Sequence, residues 1–120
     1  MGAMQRRKGA AFERFVSNTL KTVFPASKRG LGQTRAAGEV PDVDAPGYWP
    51  ECKHQQRTNP RAALAQAIEA SGASGRVPFA VCKDNGEAPF VTLRLTDFVE
   101  LLYGYHYYDR GSDCGAGPKR

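Results

Sequence analysis

The 120-residue chain has no run of apolar residues long enough to cross a bilayer. Its basic start is not followed by the apolar stretch of a secretory leader. Cysteine is scarce. Cys52, Cys82 and Cys114 are odd in number and form no C-x-x-C pair. A disulfide framework is therefore not the expected basis of the fold, and free thiols in a reducing compartment are. Zinc held by Cys52, His54, Cys82 and His106 would lack the close spacing usual in structural sites. There are no internal repeats. The aromatic strand pattern of RNP-type RNA binders is also missing.

Acidic residues are nearly absent from the first third of the chain. Residues 1–38 hold Arg6, Arg7, Lys8, Arg14, Lys21, Lys28, Arg29 and Arg35 against Glu13 alone, a balance of +7. The whole chain carries +5, so the remainder is slightly acidic. Such segregation suggests a polyanionic partner, nucleic acid first, with a merely solvated basic surface as the plainer alternative. The length fits one domain, with a core large enough to stand without disulfides or metals. We expect that domain to span 1–104, followed by a flexible, glycine-rich tail over 105–120. The tail's "YGYHYYD" offers rings that could stack on bases, although such clusters more often pack on their own domain.

The spacing predicts an amphipathic helix over 8–24, with Phe12, Phe15, Val16, Thr19, Leu20 and Val23 inward and Arg14, Ser17 and Lys21 outward. Glu13 falls at the border of the apolar stripe, and Pro25 ends the helix. Residues 27–39 read as a basic, glycine-rich loop with a short strand around Gln33–Ala36. A hairpin follows, with strands near 40–44 and 48–54 joined at Pro46-Gly47. Asn59 and Pro60 open a second helix, which Gly72 stops. "VPFAVCK" is a buried strand, Asn85-Gly86 a hairpin turn and "FVTLRL" the returning strand. A closing helix begins at Thr96 or Asp97. This order predicts an α/β fold with a mixed central sheet flanked by helices.

The chemistry concentrates in "PDVDAPGYWPECKHQ", residues 41–55. Strand residues two apart share a face, so Asp42 groups with Asp44, and Glu51 with Lys53, while Cys52 and His54 point the other way. Across a tight hairpin, neighbours lie roughly 5 Å apart, close enough for Asp42 or Asp44 to oppose Glu51. Two carboxylates at that range drive one another to protonate unless a cation intervenes. Hard oxygen donors suit Mg2+, and Lys53 beside them could hold a phosphate oxygen or orient a water. The plainer reading is a solvent-facing sheet surface with cross-strand ion pairs.

"PD" at 41–42 followed by "ECK" at 51–53 resembles the signature of the PD-(D/E)XK nucleases. The run from "KGAAFERFVSNTL" through "GEVPDVDAPGYWPECKHQ" to "ALAQAIEASG" and "VPFAVCKDNG" resembles the small Holliday-junction resolvases and phage endonucleases of that superfamily. The resemblance implies a restriction-endonuclease-like core of order α-β-β-β-α-β and metal-dependent hydrolysis of DNA with Mg2+ or Mn2+. It implies metal ligation by Asp42, Glu51 and the backbone carbonyl of Cys52, with Lys53 acting on the water and Glu13 completing the site. Gln66 matches an accessory glutamine of the family; Asp44 is an outer group or bystander, and His54 is structural. DNA contacts are expected from Arg6, Arg7, Lys8, Lys28, Arg29 and Arg35. A homodimer cutting branched DNA in recombination or repair follows from the same resemblance. So does a cytoplasmic location, the host-cell cytoplasm if the chain is phage-encoded. A nuclease for flaps, nicks or single strands, or a catalytically silent DNA-binding module, would share these motifs.

Overall fold

The computed structural model describes residues 3–30 and 40–107. Two eight-residue strands form its middle, β3 (Tyr48–Gln55) and β4 (Val77–Asp84). They pair in parallel along their whole length, Tyr48 opposite Val77 and Gln55 opposite Asp84. A parallel pair needs a long crossover. Helix α2 (Pro60–Ser71) supplies it. Asn59 caps α2 by accepting the Ala62 N–H at 3.1 Å, and Pro60 occupies the first turn, where no N–H is needed. Asp84 accepts the backbone N–H and the hydroxyl of Thr58 at 2.9 and 2.6 Å, which fixes the loop entering α2 to the end of β4.

Strand β5 (Phe90–Thr92) returns antiparallel to β4 through the turn at Gly86, whose φ of 82° favours glycine. β5 pairs only opposite Ala80, Val81 and Cys82. Pro78, which has no N–H to donate, lies outside that pairing. Helix α1 (Ala3–Leu20) precedes a two-residue strand β1 (Lys28–Arg29), antiparallel to β2 (Val43–Asp44). Helix α3 (Leu95–Tyr107) closes the described chain. The protein is therefore α/β, with a mixed three-stranded sheet β3-β4-β5 and a two-stranded ribbon β1-β2. No helix among the described residues is long and apolar enough to cross a membrane.

Each face of the sheet carries a helix. Phe12 and Val16 of α1 pack with Val43, Cys52 and Val81. On the other face, Ala63 of α2 packs with Ala80 and Cys82. The α2 contact is built from small side chains, so helix and sheet approach closely.

Several expectations need correction. Helix α1 ends at Leu20, with a turn before Pro25, and its buried face is rotated from the predicted stripe. Ser17, expected outside, is 3% exposed, whereas Phe15 and Val23 are 52% and 65% exposed. Phe15 lines an open apolar groove shared with Phe79, Phe90 and Phe98, and Val23 lies beyond the end of α1. The expected hairpin reduces to one antiparallel bridge between Ala45 and Tyr48, because β2 pairs with β1 and the Asp42 side chain, not its backbone, takes the Cys52 N–H of β3. β5 stops at Thr92 and α3 begins at Leu95, earlier than expected. α3 also continues through Tyr107, three residues into the expected tail. The strand expected around Gln33–Ala36 lies outside the described residues, as do positions 108–120 of the tail.

Ala67 is completely buried on the sheet-facing side of α2, and Gln66 beside it is exposed. Ala67→Leu should overpack this contact and lower unfolding free energy by about 1–3 kcal/mol. Gln66→Leu should change it by less than about 0.5 kcal/mol. Urea denaturation of both variants checks the pair.

Candidate active site

The site begins with a backbone amide that β-pairing leaves to a side chain. Pro41 and Asp42 precede β2, and the Asp42 Oδ2 accepts the Cys52 N–H of β3 at 2.9 Å. The same segment is held from its other side, where the Gly30 N–H donates to the Asp42 carbonyl oxygen at 2.8 Å. A Cβ at position 30 would collide with the Pro41 carbonyl oxygen, so the close approach requires glycine. Asp42 is thus fixed at both its backbone and its carboxyl group.

Alternation along β3 then sorts the following residues. Cys52 packs toward α1, and the His54 ring lies 5.4 Å from that of Phe12. Glu51 and Lys53 share the opposite face, with Lys53 Nζ 3.5 Å from Glu51 Oε2. Glu51 is 6% exposed. Burial and the neighbouring Asp42 charge push its pKa up to about 7, partly offset by Lys53. Asp42 is itself raised by burial, against the lowering effect of the Cys52 amide and of a hydrogen bond with Glu51. Near neutral pH Glu51 is therefore partly protonated, beside an Asp42 carboxyl that accepts the Cys52 amide.

Glu13 approaches from α1. Its Oε1 accepts the Arg29 Nε–H at 2.9 Å, an ion pair joining α1 to β1. Burial raises the Glu13 pKa, Arg29 lowers it, and Asp42 raises it again. Glu13 thus belongs electrostatically to the Asp42–Glu51 centre, while its nearest partner is a cation. The Cys52 thiol, walled in by burial and these three carboxylates, is pushed far above its ordinary value and is inert as a nucleophile.

The other expected positions are dispersed. Asp44 turns away and pairs with Arg76 at 3.2 Å. Gln66 is exposed on α2, whose buried residues are Ala63, Ala67 and Ser71. Arg6 and Arg7 are exposed near the start of α1, Lys8 is half-buried and Lys28 is exposed on β1. Arg29 is bound to Glu13, and Arg35 lies outside the described residues. Arg76 is a cation that sequence reasoning passed over. It joins Lys28 and Arg29 in lining a cleft of about 470 Å3 beside Pro41 and Asp44. Its only signal was a basic residue directly ahead of the "VPFAVCK" strand.

Among the described residues, no group of three or more His, Cys, Asp and Glu side chains is arranged to hold a metal ion. The donor chemistry nevertheless fits a hard cation at Asp42 and Glu51. Both offer carboxylate oxygen, and the pressure of the Asp42 charge on Glu51 is what a divalent cation would relieve. No protein-family model, curated protein or solved structure matches the chain.

The folded-state pKa of Glu51 lies above its ordinary 4.5. Folding therefore favours the neutral acid. That stabilisation is complete below about pH 4.5 and is lost as the pH rises through about 7. At about 1.4 kcal/mol per pKa unit, the loss is on the order of 3 kcal/mol. Urea denaturation in chelator at pH 5 and pH 8 should show wild type weakening with pH, and Glu51→Gln should remove most of that dependence.

Proposed function

We propose that this chain is a metal-dependent, structure-selective DNA endonuclease, a Holliday-junction resolvase or a close relative. The observation that carries the reading is the buried Asp42–Glu51 carboxyl pair with Lys53 Nζ 3.5 Å from Glu51. A buried glutamate whose pKa is raised by burial and by a neighbouring aspartate, with a lysine beside it, is a candidate for chemistry. The element order α1-β1-β2-β3-α2-β4 supports a restriction-endonuclease-like core, because it follows the α-β-β-β-α-β succession that the "PD…ECK" resemblance implies.

In this reading Asp42, Glu51 and the Cys52 carbonyl hold Mg2+ or Mn2+. When bound, such an ion supplies Lewis acidity and charge neutralisation toward a phosphodiester. Asp42 stays oriented by the Cys52 amide throughout. Glu51, partly protonated near neutral pH, would lose its proton to hold such a cation. Lys53 presents an ammonium that orients the attacking water and steadies the charge growing on phosphate oxygen. Lys28, Arg29 and Arg76 line the adjacent cleft and receive backbone phosphates, with Arg6, Arg7 and Lys8 extending the track along α1. A phosphate that draws Arg29 away from Glu13 frees that carboxylate for the site.

A second reading, a DNA-binding module without catalysis, is favoured by one observation. Glu13 is paired with Arg29, and among the described residues no third donor side chain stands with Asp42 and Glu51.

One experiment separates these readings. The protein is incubated with a synthetic four-way junction, a flap and a plain duplex, in Mg2+ and in EDTA. Paired junction nicks that vanish in EDTA are expected. Cutting without junction preference would indicate a general nuclease, and tight binding without metal-dependent cutting a silent module. Lys53→Ala and Asp42→Asn should each slow cutting by at least about a hundredfold while junction affinity survives. Equal loss of binding in both would overturn the assigned roles.

A further inference from the structure

The tyrosine-rich end of α3 stands beside the cationic cleft, and the site described above makes no use of it. Among the described residues, Tyr48, Val77, Asp97, Glu100, Gly104 and Tyr105 line a cleft of about 410 Å3. Arg76 precedes Val77 and donates from Nη1 to the Tyr48 carbonyl oxygen at 3.3 Å. This cleft and the one lined by Lys28, Arg29 and Arg76 therefore share a wall. Helical spacing puts Glu100, Tyr103, Gly104 and Tyr107 on one face, at i, i+3, i+4 and i+7. The Tyr103 and Tyr107 rings lie 5.0 Å apart and are 59% and 70% exposed. Glycine is a poor helix former, yet Gly104 sits on that face inside α3. Packing does not demand it, because a Cβ there would meet no other group within 4 Å among the described residues. What a glycine at this position does provide is room for a flat group to approach the helix backbone.

We propose that this end of α3 stacks unpaired bases of a DNA strand whose phosphates lie in the neighbouring cationic cleft. A positive groove for the backbone with aromatic rings beside it is the arrangement that holds a single strand, since every base has a face to stack. The charges divide the two clefts in the same way. Lys28, Arg29 and Arg76 attract phosphate on one side of the shared wall. Asp97 and Glu100 repel it on the other. Arg94 holds Asp97 at 2.8 Å, so Glu100 is the acceptor that can meet an N–H on a base edge. The group that settles on α3 must therefore be flat, apolar on its faces and without negative charge, which describes a base and not a phosphate. A paired duplex hides its base faces, so the surface selects unpaired strand. The inference rests on the DNA partner proposed above and not on the metal chemistry at Asp42 and Glu51.

Fluorescence anisotropy on the full chain, in EDTA, is the test. The probes are a labelled thymidine oligomer, the same sugar-phosphate chain without bases, and a duplex with hairpin-closed ends. Wild type should bind the thymidine oligomer at least about tenfold more tightly than the baseless chain. Tyr103→Leu with Tyr107→Leu should remove that preference and leave duplex affinity unchanged. Tyr103→Phe with Tyr107→Phe should keep the preference, because the rings remain. Gly104→Leu should remove it by filling the gap, and leucine favours a helix more than glycine does, so a circular-dichroism melt should show no loss of folding. Lys53→Ala should abolish cutting and keep the preference. Equal wild-type affinity for the oligomer and the baseless chain, with duplex binding retained, overturns this inference and leaves the DNA reading standing. Binding to none of the three probes overturns both. A folded leucine double variant that retains the preference overturns the assigned surface.

Discussion

The hydrogen bond from the Cys52 amide to the Asp42 carboxylate is the constraint on which the centre of this protein depends. β3 is fully paired on one edge only, with β4. On its other edge the ribbon β1-β2 touches it through the Ala45–Tyr48 bridge, and beyond that point a side chain takes the place of a strand. A buried amide without a partner would cost on the order of 1–3 kcal/mol, and a buried carboxylate without donors more. Each satisfies the other. Together they bring residue 42 against residue 51.

That proximity sets the charge pattern. Three carboxyls, Glu13, Asp42 and Glu51, are raised by burial, and the Asp42 charge raises Glu13 and Glu51 further. Two cations answer them from different elements, Arg29 from β1 and Lys53 from β3. Arg29 and Lys53 each have a defined carboxylate, which leaves Asp42 dependent on a backbone amide. In the proposed reading a phosphate would compete for Arg29, and a cation for the Glu51 proton.

The packing is uneven in a way that matches this centre. Between α1 and α2 the sheet is closed on both faces by Phe12, Val16, Ala63 and Ala67, and the carboxyl pair sits in that closed part. Toward β5 and α3 the layers open. Phe15, Phe90 and Val91 remain exposed, and α3 contributes no buried residue. Close packing is concentrated where side chains hold the charge geometry, and uncovered apolar surface lies toward β5 and α3.

Much was legible from local chemistry. The Asn59-Pro60 helix start, the Asn85-Gly86 turn and the split of Glu51 and Lys53 from Cys52 and His54 follow from short-range geometry that neighbouring residues fix alone. The pairing of β3 with β4 in parallel joins segments about thirty residues apart, and hydrophobic runs alone do not specify a partner. The Glu13–Arg29 ion pair spans sixteen residues, and the Asp44–Arg76 pair thirty-two. Each needed the layers in place before the two charges could meet. For α1 the sequence determined that a stripe would be buried. Tertiary structure decided that Phe12, Val16 and Ser17 would face inward rather than Phe15 and Val23, because burial depends on which neighbouring layer arrives above the helix, and periodicity does not contain that information.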